Sequence, residues 1–184
     1  MALVPSKSPP TQSRQDPARL LPWLRERNPL FGRLDDQAAR HLFQLATLRK
    51  ELRGRVLAKQ DERASHLFVV IEGTVVMRVV HNKVVRELSS YEPGDVAGLL
   101  PLIDQLPSPY ELTAVSNVEV IAIDTMKLAQ LTAAFHPVAM ALLTAFTPGL
   151  VAHLRDLDSR IAKLALRKNA SVAGSSETFG RGDR

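Results

Sequence analysis

With 184 residues, 45% of them hydrophobic and 23% charged, the chain is long enough to bury a real core and too apolar for a disordered polymer. The absence of cysteine excludes disulfides and thiolate metal sites and suits a reducing compartment. No apolar run nears the ~18 residues of a membrane span and no signal-peptide core opens the chain, so a cytoplasmic protein without membrane contact is expected; the net charge of +5 permits acidic partners, although dispersed arginines give the same total.

Residues 1–16, with Pro5, Pro9 and Pro10 among Ser, Gln and Lys, are expected to be a disordered tail. From Pro17 to Asn28, Leu20, Leu21, Trp23 and Leu24 mark a short helix, with Pro22 tolerable only near its first turn, and Asn28-Pro29 stops it. Asp35 then caps a helix to Thr47 whose apolar face is Ala38, Ala39, Leu42, Phe43 and Ala46. From Leu48 to Asp124 the pattern is strand-like. Residues 48–53 and 56–60 flank Gly54, and 66–71 is a buried run ending at Glu72-Gly73. Residues 74–80 and 83–88 join through a His81-Asn82 turn, and 111–115 and 118–124 form a last hairpin around Ser116-Asn117. Many short strands punctuated by turn signals indicate a sandwich or small barrel.

Helices return after Asp124-Thr125, and Pro148-Gly149 interrupts them. Leu150, Leu154, Leu157, Ile161 and Leu164 then follow a 4-3-4-3 spacing, an a/d stripe on one helix face, with Arg155, Asp156, Asp158, Arg160 and Lys163 on the rest. The stripe either packs on the sandwich or dimerises the chain, and its narrowness favours a homodimer through helix 150–168. Residues 169–184 carry no periodicity and are expected to be a second disordered tail.

Between the β-rich runs lies a Gly94-Asp95 turn, an apolar segment opened by Gly98, and a Pro107-Ser108-Pro109 loop. Free amides after Gly98 suit a phosphate-sized anion. The stretch has no cation, however, and Asp95, Asp104 and Glu111 oppose an anion electrostatically. Leu99, Leu100, Leu102, Ile103, Leu106 and Tyr110 make it apolar, fit either for collapse into the core or for an apolar groove.

This order of elements resembles the cyclic nucleotide-binding domain, the sensor half of catabolite-activator-type regulators and of kinase regulatory subunits. Its carriers are Pro29-Leu30-Phe31, Gly54-Arg55-Val56, the run Phe68 to Val75, and Pro93-Gly94-Asp95-Val96-Ala97-Gly98, which resembles the entry to the family's phosphate-binding cassette. The resemblance covers 29–168. It implies an α+β fold, a β-sandwich or jelly roll with N-terminal helices and a long C-terminal helix, in a domain spanning 17–168.

In the family the residue after the cassette Gly is a Glu that holds the ribose, and here it is Leu99. The phosphate-binding Arg falls on Ser108, and the next residue, a Ser or Thr, falls on Pro109, which lacks both hydroxyl and N–H. Charge-assisted hydrogen bonds are worth roughly 1.5 to 3 kcal/mol each, so losing the Arg and the Glu removes on the order of two to four decades of affinity. Arg86, or an arginine of a partner helix, is the candidate for a rewired charge. Regulators of this type continue into a helix-turn-helix domain. Residues 169–184 hold no such pattern, so DNA binding in that mode is not expected.

The residues point to no enzyme. His41, His66, His81, His136 and His153 are scattered, and no nucleophile-elbow, Walker or zincin motif occurs. Arg181-Gly182-Asp183 is most simply a chance tripeptide. The expectation is a noncatalytic regulatory or scaffolding module, a homodimer, acting on an unidentified protein partner through Gly98, Leu99, Leu100, Ser108, Pro109 and Tyr110. The alternative is a sensor of a cyclic mono- or dinucleotide through a rewired pocket. Neither a cofactor nor a metal is expected.

Overall fold

The computed structural model describes residues 16–100 and 106–134 and, as helix, residues 140, 141, 144, 145, 147, 148, 150, 151, 154, 155 and 157–162. Two compact units are present, Met1–Phe146 and Thr147–Arg184. The expected tails fall largely, and Leu164 wholly, outside the described residues.

Helix starts follow the side chains that can cap them. A 3-10 turn, Pro17–Leu20, runs into α1 (Leu21–Arg27), where Pro22 sits in the first turn, the one place its missing N–H costs nothing. Asn28 ends α1 and its side chain accepts from Leu30 N, opening a short helix α2 (Pro29–Arg33) that the Asn-Pro stop signal concealed. The Asp35 carboxylate accepts from Ala38 N at 2.7 Å and opens α3 (Asp36–Gln44). α3 ends three residues before the expected Thr47, because Ala46 pairs with Ile123 and starts a strand. Arg25 ties these helices together, donating to Leu34 O and to the Asp36 carboxylate at 2.8 Å.

Among the described residues eight strands follow: β1 (Ala46–Glu51), β2 (Val56–Ala58), β3 (His66–Glu72), β4 (Val75–His81), β5 (Val84–Tyr91), β6 (Val96–Ala97), β7 (Glu111–Ala114) and β8 (Val118–Asp124), then helix α4 (Thr125–Ala134). One sheet has the order β1-β8-β3-β6 and the other β2-β7-β4-β5, with all pairs antiparallel. This is a double-sheet jelly roll. β3 reads as an unbroken apolar run because both its faces are buried. Leu67, Val69 and Ile71 meet the N-terminal helices, while Phe68 and Val70 meet the second sheet.

β7 and β8 do not form the expected hairpin. β7 pairs with β2 and β4, whereas β8 pairs with β1 and β3, so Ser116-Asn117 carries the chain from one sheet to the other. Gly54 makes the same crossing between β1 and β2, and Gly73 makes it between β3 and β4. The three corners brace each other: Gly54 N donates to Ala114 O (2.8 Å), Arg53 N to the Asn117 side chain (3.0 Å) and Thr74 N to Ser116 Oγ (2.9 Å). A Cβ on Gly73 would lie 2.3 Å from Asn117 O, so only glycine fits there. The β4–β5 turn falls on Asn82 and Lys83, one residue beyond the expected place, and both have positive φ (50° and 65°).

Candidate ligand or partner site

Polar backbone contacts build the approach to Gly98. Gly94 N donates to Val70 O (2.8 Å), Val70 N to Asp95 O (3.0 Å), and the Asp95 carboxylate accepts from Glu92 N (2.8 Å). Asn28 Nδ2 donates to Gly94 O (3.0 Å), tying the helices to this turn. The negative charge of Asp95 is therefore part of the turn's own hydrogen bonding. Gly98 follows β6 with φ +84°, and a Cβ there would stand 3.3 Å from His66 O and 3.6 Å from a Leu112 methyl. Leu99 packs against the helical core, while Leu100 is 37% exposed.

Ser108 is 1% exposed and fully occupied. Its N–H donates to Glu62 O (2.9 Å), its carbonyl accepts from Asp61 N (2.7 Å), and its hydroxyl donates to Tyr110 O (2.7 Å). The partner turn at 61–62 depends on Asp61 adopting φ +61°, a left-handed conformation that Asp tolerates. Pro109 is exposed and Leu106 is 60% exposed, whereas Tyr110 is buried between the sheets with Ala97 and Leu112. The six expected residues thus divide. Gly98, Ser108 and Tyr110 are buried and Leu99 is half-buried, whereas Leu100 and Pro109 are exposed, as is Leu106.

Two neighbours of this site were not among the sequence expectations. Tyr91, at the end of β5, is half-buried against the inter-sheet core; burial, with Tyr110 and Asp95 alongside, pushes its phenol above the ordinary value. The turn at 61–62 that locks Ser108 is the other. No local signal announces either, since both depend on pairing across the roll. Arg86 stands opposite Val79, on the strand face that also carries the buried Met77, and is itself exposed.

A separate concavity of about 320 Å³ lies at the sheet corners, lined by Lys50, Glu51, Leu52, Glu72, Asn117, Val118 and Glu119. Glu119 is 4% exposed, with Lys50 Nζ 4.0 Å from its carboxylate. Among the described residues no three His, Cys, Asp or Glu side chains are grouped to hold a metal, and no helix is long and apolar enough to cross a membrane. In the unit Thr147–Arg184, Leu154 and Ile161 are 52% and 63% exposed, Leu157 is exposed and Leu150 is half-buried.

A two-sheet jelly roll, with helices before it and a Gly-Asp turn ahead of an apolar segment, is the architecture that the sequence resemblance implied. The family described as the cyclic nucleotide-binding domain matches residues 48–135, the stretch that runs from β1 into α4. No curated protein matches the chain. Among solved structures it is similar to the catabolite activator protein of Thermus thermophilus (21% identity, TM-score 0.64, covering 75% of this chain and 63% of that one). It is also similar to the N-terminal domain of a transcriptional regulator from Streptomyces coelicolor (27%, TM-score 0.59, 75% and 94%). A third is the regulatory domain of Toxoplasma gondii PKA, solved with cAMP (18%, TM-score 0.56, 68% and 46%).

Proposed function

We propose that the protein is a noncatalytic, dimeric regulatory module that acts on a protein partner, its ordinary cyclic nucleotide site having been lost. The observation that carries this reading is Ser108. It occupies the position that the family resemblance gives to the phosphate-binding arginine, and its N–H, carbonyl and hydroxyl are all committed within the fold. A ligand phosphate would find no cation at 108, no N–H at Pro109 and no ribose-binding carboxylate at Leu99. The exposed Leu100, Leu106 and Pro109 are apolar side chains that a partner chain could cover.

Dimerisation is assigned to the stripe of Leu150, Leu154, Leu157, Ile161 and Leu164. The exposure of Leu154, Leu157 and Ile161 supports it, because three large apolar side chains at a/d spacing are left to water in the single chain. Leu154→Glu with Ile161→Glu is expected to halve the mass measured by light scattering without lowering the melting temperature of the roll. An unchanged mass would remove this interface.

One observation favours a second reading, a sensor with a rewired site. Arg86 lies on the inward-facing side of β5 at its exposed end, able to lend a cation to an anionic ligand. Calorimetry and thermal shift against cyclic mono- and dinucleotides up to millimolar concentration separate the two. A ligand at about 100 times its Kd stabilises the fold by roughly 2.7 kcal/mol, so a real site is visible in a melting curve. No shift is the expected result; a saturable shift abolished by Arg86→Ala would establish the sensor instead.

A further inference from the structure

The start of β3 holds a side-chain cluster that the proposed function does not use. Arg49 Nη2 lies 2.8 Å from His66 Nε2, and Ser65 Oγ lies 2.7 Å from His66 Nδ1. A guanidinium carries donors only, so Nε2 must be the acceptor. The ring proton is then on Nδ1 and donates to Ser65 Oγ. These contacts fit the neutral ring alone. An imidazolium has no lone pair to offer Arg49 and would place two cations at hydrogen-bond distance.

Charged groups reach this ring from three elements besides its own. Arg49 comes from β1, Asp124 from the end of β8 and Lys127 from α4, while β6 brings only Val96 and Ala97. Burial first, then Arg49, and more weakly Lys127 lower the proton affinity of His66; Asp124 works against them. On the side of its own strand the ring lies against Phe68, with centroids 6.0 Å apart.

The backbone here is a junction. Ala64 O accepts from Thr125 Oγ1 and Ser65 O from Thr125 N, both at 3.1 Å, holding the first residue of α4. His66 O lies against Gly98, the head of the apolar segment, and β3 pairs with β6 just before it. Three consecutive residues, 64–66, thus touch both the start of α4 and the Gly98 turn.

We propose that Arg49, Ser65 and His66 form a proton-operated latch: the neutral imidazole fixes the 64–66 backbone that joins α4 to the Gly98 segment, and protonation releases it. The regulatory meaning rests on reading the Gly98 segment as the partner-facing one, whereas the coupling between the ring and the two contacts does not. Because the folded state binds the His66 proton less readily than the unfolded chain, the latch's stabilisation is complete above the ordinary value of about 6.5. It is lost as pH falls from there through the lowered value.

Isotope-labelled full-length protein, titrated by NMR from about pH 7.5 to about 5 with no partner or nucleotide present, tests the latch. The expected result is a His66 ring in the Nδ1–H tautomer that titrates below an ordinary histidine, with the Gly98 and Thr125 amide resonances following its midpoint. His66→Gln keeps an acceptor for Arg49 and cannot titrate, so those two amides should then hold still. In Arg49→Gln the ring should titrate higher. An Nε2–H tautomer, amides indifferent to the ring, or amides that move equally in His66→Gln would each overturn the latch. If His66→Gln does not fold, the Arg49→Gln midpoint decides alone, and no upward move overturns it. Failure here leaves the nucleotide screen and its outcome untouched.

Discussion

Gly73 and Gly98 both hold the chain in left-handed backbone, and they stand in opposite relations to the rest of the molecule. At the Gly73 corner a Cβ would meet Asn117 O at 2.3 Å, Ser116 Oγ at 2.6 Å and a Val118 methyl at 2.9 Å, all within the braced junction where the chain changes sheets. At Gly98 the closest atom would be His66 O at 3.3 Å, beside a segment that is part buried and part exposed. The corner has one solution, whereas at the candidate site a Cβ would need His66 O to give by only a few tenths of an ångström. A frame over-determined at the corners can keep its shape while the residues around Gly98 vary.

The comparison breaks first at its strong end. Gly73→Ala combines the left-handed penalty of about 1–2 kcal/mol with an overpacking cost of about 1–3 kcal/mol against backbone that cannot move, so a loss of about 2–5 kcal/mol is expected in denaturant titration. A loss near 1 kcal/mol would mean that the corners are not the rigid part. Gly98→Ala carries the same backbone penalty with a milder contact and should cost about 2 kcal/mol. Its amide resonances should shift near His66 and Leu112 and leave the corners alone.

Ser108→Ala asks whether the inward half of the site is structural. Removing the hydroxyl leaves Tyr110 O without its 2.7 Å donor in a buried place, an expected loss of about 1–3 kcal/mol with no effect on nucleotide titrations. A gain in stability would indicate that the hydroxyl is held for a ligand.

The strands were mostly legible because burial imposes its period on the residues, whereas the corner at Ser116-Asn117 read as a hairpin turn. β8, Val118–Asp124, has the expected limits, and β3 differs by one residue. What escaped was long-range. Nothing in 111–124 tells whether two neighbouring strands pair with each other or with partners 37 and 77 residues away, as Val76↔Thr113 and Ala46↔Ile123 do. α2 escaped because Asn28-Pro29 reads as a stop until the same Asn is seen to cap Leu30. At the site, the residue types were readable in advance, but the locking of Ser108 by 61–62 and the Arg49–His66 contact each join residues from distant strands or loops.

The smallest effects isolate the backbone contribution from the steric one. Gly54 has φ +88° and nothing within 4 Å of a would-be Cβ, so Gly54→Ala should lose only the conformational part, about 1 kcal/mol, or roughly 2–4 °C in Tm. At the β4–β5 turn the chain already tolerates such strain, since Lys83 sits at φ +65° where a type I′ turn favours glycine. Lys83→Gly should therefore stabilise the protein, by about 0.5–1 kcal/mol, the left-handed relief outweighing the extra freedom glycine gives the unfolded chain. If Gly54→Ala is silent and Lys83→Gly destabilises, left-handed strain is not what these turns have in common, and the large cost at Gly73 would have to be assigned to the clash alone.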